Sequence, residues 1–440
     1  MSGVTAPTMD PVDALALAGD GAHLVAAPGC GAPTTLLTAV NKEAAGRNWT
    51  LSSGLLLGDY PFLDAVRAGD LRYRTWHVMA PVADLVAEGV AAFLPARASR
   101  IAAMLQACGV DVALVRVTPL DRHGYRSLGP SAGYSLDALR LARVRIGEVD
   151  PDLPWTFGNT TVHDSIFDAL IDTADEAPRY SSAKPSSVSN CIAEHIVGLL
   201  PRNPTLQIGI GSIPEAVVNS LADADLGQVR FTGMATDEMV ELFERGVIPV
   251  DGDAPAILSP ELMGSQRLMR FADRNPALAV YPSSTAHNAA VLGRTPRLVS
   301  INTAIEVDIS GQVNSEVLRG RQISGVGGSL DFVDAASRSA GGLRVIALPS
   351  ATPDASRSRI VPAVTTVTIP RSMVDAVVTE YGVARLDGCS ATERAQALIS
   401  IAHPEHRQAL AAAVEVTARR CVPTQRPTAA ATQRRPRQRS

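Results

Sequence analysis

Residues 206–216 of the chain read LQIGIGSIPEA, and this stretch decides the fold class. The first residues are apolar, as in a buried strand, and Gly209 and Gly211 then turn the chain. Apolar residues at helical spacing follow over residues 215–221. A strand, a glycine turn and a helix in this order form one unit of a sheet that is covered by helices.

A second stretch near the N-terminus repeats this pattern. Residues 23–27 (HLVAA) read as a strand, residues 28–31 as a turn, and a helix is expected from Thr34. Two such units indicate a duplicated α/β fold with mostly parallel sheets. Further strands are predicted over residues 278–281, 298–301, 345–348 and 365–369, and a further helix over residues 391–402.

The length of 440 residues exceeds what one hydrophobic core usually supports, which is roughly 250–300 residues. We therefore expect two similar domains, at residues 1–185 and 186–420, joined by a passage rich in Ser and Pro within residues 175–204. Residues 421–440 carry five Arg, three Pro and no acid. This composition predicts a disordered basic tail.

The composition excludes several classes of function. Hydrophobic residues make up 46% of the chain and charged residues 19%, as in a globular protein with a large core. A net charge of −4 argues against nucleic-acid binding, and the sequence lacks the run of about 18 apolar residues that predicts a membrane span. The five cysteines show no CxxC spacing, so we expect neither disulfides nor a zinc site. These features favour the reducing cytoplasm.

Glycine-rich turns are the strongest local signals for a binding site. The Gly209 and Gly211 turn precedes a helix and either offers N–H groups to an anion or is only a tight turn. Residues 324–329 read SGVGGS, and we call them the glycine loop. Gly325, Gly327 and Gly328 are more glycines than a turn needs, which leaves two alternatives open, a backbone oxyanion hole and a plain loop.

Other chemistries find little support in the sequence. No Gly-Lys-Ser/Thr follows either glycine cluster, and neither completes GxGxxG with an acid about 20 residues later. The eight His residues form no HxxxH or HxH pair, so we expect no metal and no permanently bound cofactor. His123 and His163 are interpreted as structural, and Cys30 as a buried inert thiol.

Six segments together resemble the acetyl-CoA hydrolase/transferase family, specifically its 4-hydroxybutyrate and butyrate CoA-transferase branch. They are residues 206–216 (LQIGIGSIPEA), 301–315 (INTAIEVDISGQVNS), 323–332 (ISGVGGSLDF), 358–362 (SRIVP), 377–384 (VVTEYGVA) and 397–404 (ALISIAHP). The resemblance implies two similar α/β domains with the active site in the cleft between them. It also implies a coenzyme A thioester as substrate, attacked by a glutamate, with Gly327 and Gly328 in the loop that stabilises the oxyanion.

The chain departs from the family pattern at residues 231–242, which read FTGMATDEMVEL. Gly233 stands at the position of the family glutamate, and glycine has no nucleophile. Three interpretations follow: Glu238 replaces the carboxylate; water, an amine or a hydroxyl attacks the thioester directly; or the protein is a non-catalytic binding or partner subunit.

The site residues expected from the sequence fall into two groups. The candidate catalytic residues are Glu238, Gly327 and Gly328, and the candidate substrate-binding residues are Gly209, Gly211, Gly233 and Gly325. The expected partners are an acyl-CoA and a small acceptor, which is a carboxylate, water or an amine. An acyl-carrier protein is an alternative acyl donor, and we expect a homo-oligomer.

Overall fold

The computed structural model describes residues 6–250 and 254–421. The elements of the first part are α1 (Pro11–Ala16), β1 (His23–Ala26), α2 (Thr34–Glu43), β2 (Thr50–Ser53), α3 (Phe62–Ala68), β3 (Arg72–Thr75), α4 (Ala80–Ala87), β4 (Ala91–Phe93), α5 (Ile101–Cys108), β5 (Val112–Val117), β6 (Tyr125–Ser127), α6 (Ser135–Leu141), β7 (Val144–Val149), β8 (Phe157–Gly158), β9 (Thr161–His163) and β10 (Ala169–Asp172).

The remaining elements follow from residue 187 onward. They are α7 (Ser187–Val197), β11 (Thr205–Ile208), α8 (Ser212–Ser220), β12 (Arg230–Gly233), α9 (Asp237–Glu244), β13 (Ile257–Ser259), α10 (Gln266–Ala272), β14 (Leu278–Val280), α11 (Ser283–Ala286), α12 (Ala289–Leu292), β15 (Leu298–Thr303), β16 (Glu306–Asp308), β17 (Val313–Asn314), β18 (Val317–Leu318), β19 (Arg321–Gln322), α13 (Ser329–Arg338), β20 (Leu343–Ala347), β21 (Ile360–Val361), β22 (Ala376–Thr379), β23 (Gly382–Arg385), α14 (Ala391–Ser400) and α15 (Pro404–Cys421).

The first sheet has seven parallel strands in the order β10-β7-β5-β1-β2-β3-β4. Successive residues of a strand point to opposite faces, and both faces are buried here. In β1, Leu24 packs into one apolar cluster and Val25 into another. The same alternation occurs in β5, where Leu114 and Val115 join these two clusters. The sheet therefore separates two layers of core.

The second sheet has nine strands in the order β23-β22-β20-β15-β11-β12-β13-β14-β8. Its pairs are parallel except β22 with β23 at one edge. Strand β8 at the other edge comes from the first part of the chain and pairs with β14 through Phe157 and Ala279. Strand β8 thus joins the first part of the chain to the second sheet, and the sequence pattern does not predict this strand.

The predicted fold class is confirmed, because two bodies of mostly parallel sheet carry helices. The predicted strand at residues 365–369 is wrong, since Ile369 makes only an isolated bridge to Val313. Pro370 follows directly and has no N–H to continue a ladder. The Thr368 side chain is fixed separately, since its hydroxyl donates to Glu316 Oε1 at 2.8 Å. The predicted tail lies outside the described residues apart from Cys421, where α15 ends.

Arg116 places a charge inside the first sheet. Its side chain is fully buried and pairs with Glu148 Oε1 and Asp150 Oδ2, each at 2.7 Å. It also donates to the carbonyl oxygen of Ala32 at 3.1 Å. Buried ion pairs of this kind stabilise only while both partners are present, because a charge left alone keeps its desolvation cost.

Replacing Arg116 with Met should lower the free energy of unfolding by about 3–5 kcal/mol, since two carboxylates lose their buried partner. Urea denaturation followed by circular dichroism measures the change. Arg202→Met is the matched control, because its pair with Asp225 is exposed and should contribute about 1 kcal/mol or less. Equal midpoints for the two variants would contradict the assignment.

Candidate active site

A cavity of about 230 Å³ lies at the carboxyl ends of the central strands of the second sheet. This is the edge at which open α/β sheets usually bind ligands. The lining from the second part of the chain includes residues 207–210, 233–234, 260–261, 301–303 and 324–329. The lining from the first part is Leu55, Trp76, His77, Ala98, Ile101 and Tyr134. The cavity is therefore shared by the two parts of the chain.

The first predicted glycine turn contributes one of its two glycines to the cavity. Gly209 lines the wall, and a Cβ added to it would meet nothing within 4 Å. Gly211 does not line the wall; it has φ of +113°, which favours glycine. Its N–H donates to Glu215 Oε1 at 3.3 Å. Gly211 thus shapes the turn, whereas Gly209 leaves the space open.

The glycine loop forms the wall between the two parts of the chain. A Cβ added to Gly325 would lie 2.2 Å from the carbonyl oxygen of Trp76, and one added to Gly328 would lie 2.5 Å from the ring of His287. Gly327 has φ of +56°, in the left-handed region. The loop therefore approaches its neighbours more closely than a side chain permits.

Hydrogen bonds fasten the glycine loop and the following helix to the first part of the chain. The Ala98 N–H donates to the carbonyl oxygen of Gly327 at 2.7 Å. Asp331, in the first turn of α13, accepts bonds from the Ser99 N–H at 3.0 Å and the Ser99 hydroxyl at 2.6 Å. Arg97 pairs with the same carboxylate at 3.3 Å. These contacts fix the position of the glycine loop at the cavity wall.

The backbone of the glycine loop offers free donors. Within the described residues, the N–H groups of Val326 and Gly328 donate no hydrogen bond. Both residues line the cavity, and Ser329 beside them begins α13, whose N-terminal end carries a partial positive charge. Free donors beside a helix N-terminus are suited to stabilise a developing negative charge on a carbonyl oxygen. Two free donors at the cavity are the feature that the oxyanion-hole alternative requires.

Gly233 and Glu238 lie in different surroundings. Gly233 ends β12 on the cavity wall with φ of +93°, and an added Cβ would lie 3.0 Å from the carbonyl oxygen of Ile208. Glu238, in the first turn of α9, is not among the lining residues. Burial raises the pKa of Glu215, and the charge of Glu238 raises it further. Glu238 is thus close enough to act on the charge of Glu215, and neither residue lines the cavity.

The sequence analysis missed the histidines and the glutamate of the cavity wall, which are His77, His287 and Glu261. None belongs to a motif. The available signal was position for His77 and Glu261, which follow the carboxyl ends of the parallel strands β3 and β13, whereas His287 follows α11. Burial lowers the pKa of both histidines to about 4, so their rings are neutral at pH 7. Glu261 is only 4% exposed, and burial raises its pKa well above the usual range.

The remaining features add no further site. Among the described residues, no three His, Cys, Asp or Glu side chains lie together as a metal site requires. Within the same residues, no helix has the length and apolar character needed to cross a bilayer. His163 is exposed and contacts Ser165, and Cys30 is buried with its pKa raised by burial.

Two family models match the chain. The acetyl-CoA hydrolase/transferase N-terminal domain matches residues 7–176, and the C-terminal domain of the same family matches residues 264–414. The chain belongs to the acetyl-CoA hydrolase/transferase family. It is therefore a CoA-transferase-family enzyme, which confirms the predicted family.

Individual relatives agree with this assignment. The chain is 39% identical over 311 residues to the 4-hydroxybutyrate coenzyme A transferase of Clostridium kluyveri, covering 68% of this chain and 71% of the relative. It is 28% identical over 351 residues to an acetyl-CoA hydrolase of Yarrowia lipolytica, covering 70% and 66%. The crystal structure of RipA from Yersinia pestis superposes with a TM-score of 0.86 at 27% identity, covering 94% of this chain and 98% of RipA.

Replacing Gly327 with Val should reduce thioester turnover at least tenfold. A β-branched side chain is strained at φ of +56°, and its Cβ lies 3.6 Å from the His77 ring, so the N–H donors must shift. Losing one oxyanion donor costs about 2.7–4 kcal/mol. Steady-state release of CoA measures the effect.

Gly388→Val is the control, since Gly388 has φ of +73° and an added Cβ would meet nothing within 4 Å. It imposes a similar backbone strain outside the cavity lining and should keep the wild-type rate. Unchanged turnover in a folded Gly327→Val protein would show that the glycine loop does not serve the reaction.

Proposed function

We propose that the protein cleaves an acyl-CoA thioester by direct attack of an acceptor on the acyl carbon, as a hydrolase or an acyltransferase. The observation that carries the proposal is the cavity itself. It brings the free N–H donors of the glycine loop together with Gly233, the position at which the family resemblance expects the nucleophile. Free N–H donors that can act on an oxyanion thus lie at the cavity, and the residue at the expected nucleophile position is a glycine.

The backbone at Gly233 supports the same proposal. Its φ of +93° and the 3.0 Å approach of the Ile208 carbonyl oxygen to an added Cβ leave little room for a side chain there. A backbone that has settled into a glycine-only conformation does not hold a space for a carboxylate. Direct attack removes the need for one.

The size of the cavity supports an acyl thioester as the ligand. A volume of about 230 Å³ lies below the roughly 300–1,000 Å³ of sites that enclose a whole drug-sized ligand. It accommodates an acyl group with its thioester, while the nucleotide end of CoA remains outside. The relatives named above are a coenzyme A transferase and an acetyl-CoA hydrolase, and we carry the CoA thioester over to this chain. An acyl-carrier protein as donor, a homo-oligomer and a cytoplasmic location stay predictions.

The main competitor is covalent CoA transfer with Glu238 as the substitute nucleophile. The position of Glu238 argues against this covalent mechanism, because Glu238 does not line the cavity where the free N–H donors lie. It lies in the first turn of α9, where a carboxylate favours the helix N-terminus. We therefore interpret Glu238 as a structural acid.

Incubation with a panel of acyl-CoAs should release CoA without any added carboxylate. The release is followed by mass spectrometry, with water alone, with amines and alcohols, and with acetate or butyrate as acceptors. Borohydride treatment during turnover should not inactivate the enzyme, because direct attack forms no glutamyl thioester. CoA release that depends strictly on a carboxylate acceptor would contradict the proposal.

Glu238→Gln should keep activity within about threefold of the wild type, because the change preserves size and removes only the carboxylate charge. The measurement is kcat/KM for the best acyl-CoA of the panel. A loss of several orders of magnitude in a folded variant would instead identify Glu238 as the nucleophile.

A further inference from the structure

Glu261 is an acid in an unusual place. Among the described residues that line the cavity, it is the only Asp or Glu. Its side chain is 4% exposed, and Oε2 has no hydrogen-bond partner. A buried carboxyl oxygen without a partner costs free energy, and in Glu261 this oxygen belongs to an acid on the cavity wall.

The sheet places Glu261 beside Gly233. Strands β12 and β13 are parallel neighbours, paired through Phe231 with Ile257 and through Thr232 with Leu258. Gly233 ends β12, and Glu261 follows the end of β13 by two residues. Both therefore reach the cavity from the same edge of the sheet.

Glycines of the first part of the chain make room for the Glu261 carboxyl group. A Cβ added to Gly133 would lie 2.2 Å from Glu261 Oε1 and 3.6 Å from Ser283 Oγ. One added to Gly29 would lie 3.9 Å from Glu261 Oε2. The carboxyl group thus occupies a niche that any larger residue at 133 would close.

The backbone around Glu261 is fixed from both parts of the chain. The Ala235 N–H donates to the carbonyl oxygen of Glu261 at 3.3 Å, and the Gly133 N–H donates to that of Pro260 at 3.1 Å. The Leu262 N–H donates to the carbonyl oxygen of Pro130 at 2.9 Å. A group that acts on a substrate needs this kind of support, because small displacements cost rate.

Resting on the proposed function, we propose that Glu261 is the general base that takes a proton from the acceptor as it attacks the thioester. The acceptor is then a neutral molecule with an O–H or N–H bond, such as water, an alcohol or an amine. This assigns to Glu261 a role in proton transfer rather than the covalent role of the family glutamate.

With water as the acceptor, the reaction is a hydrolysis in two steps. The water oxygen forms a bond to the acyl carbon while its proton passes to the Glu261 carboxylate, and the carbonyl oxygen becomes an oxyanion facing the glycine loop. The oxyanion then collapses and the C–S bond breaks. The CoA thiolate takes the proton from Glu261 and leaves as a thiol, so the products are a carboxylic acid and CoA.

The charge of the cavity selects the acceptor class. The described lining residues include no Lys or Arg, and both lining histidines are neutral at pH 7. A carboxylate acceptor would therefore enter a site without a compensating side-chain cation, next to Glu261, which must be ionised when it acts as the base. Like charges in a desolvated site repel strongly. A carboxylate also has no proton for a base to remove.

The protonation state of Glu261 sets the pH dependence. Burial raises its pKa well above the usual range, while contacts with the Ser131 side chain and the Gly133 backbone lower it. The other titratable groups that act on this carboxyl or share its cavity are Cys30, Tyr134, His77 and His287. A base must be ionised, so the rate should fall as pH falls through the raised pKa. The histidines, with pKa values of about 4, titrate below that range.

Glu261→Gln tests the role with the full-length protein. It preserves the shape of the side chain and should lower kcat for acyl-CoA cleavage by about 100-fold or more, as loss of a general base does. The acidic limb of the pH–rate profile should disappear with it. Asp137→Asn is the matched control, because Asp137 is also buried, has its pKa raised by burial and has an unpartnered Oδ2, but does not line the cavity.

The outcomes separate this inference from the proposed function. An active wild type with a folded Glu261→Gln variant of near wild-type rate would overturn the role of Glu261 alone. An acyl or CoA adduct on the peptide that contains Glu261 would overturn the general-base role and make the residue a nucleophile. If the variant does not fold, the wild-type profile decides: an acidic limb above the range of the histidines supports the proposal, and its absence overturns it. A wild type that releases no CoA would refute both proposals.

Discussion

The attachment of the glycine loop to the first part of the chain is the constraint on which the site depends. The loop belongs to the second part of the chain, yet the Ala98 N–H and the Ser99–Asp331 hydrogen bonds hold it against the first part. Both Asp331 oxygens are engaged, and the carboxylate is buried. Without this attachment the N–H donors of Val326 and Gly328 would not share a cavity with Trp76 and His77. The active site is therefore a product of the interface, not of either sheet.

Much of the fold could be predicted from the sequence because parallel strands leave a strong signal. Buried segments such as β11 (TLQI) read as short apolar runs, and the turn at Gly209 and Gly211 marks where this strand ends. Strand β8 has two residues, both exposed, and carries no such signal. The segment at residues 365–369 has the opposite problem, because its Thr and Val residues favour a strand that Pro370 cuts short.

The site was predictable where backbone geometry requires glycine and not where a side chain provides the chemistry. Gly209, Gly233, Gly325, Gly327 and Gly328 all line the cavity as the sequence suggested. Glu261 could not be found this way, because a lone acid after a short strand is usually solvated. Only its burial and the niche over residue 133 distinguish it from a surface carboxylate.

The pairing of β8 with β14 can form only after β14 has been synthesised. Phe157 leaves the ribosome with the strands of the first sheet, but its partner Ala279 belongs to an element made much later. The edge of β8 must therefore remain unpaired while β11, β12 and β13 are synthesised, and pairing over long sequence separation is slow. Because β9 follows β8 after two residues and pairs with β6, the late pairing of β8 with β14 also holds the chain next to the β6–β9 pair.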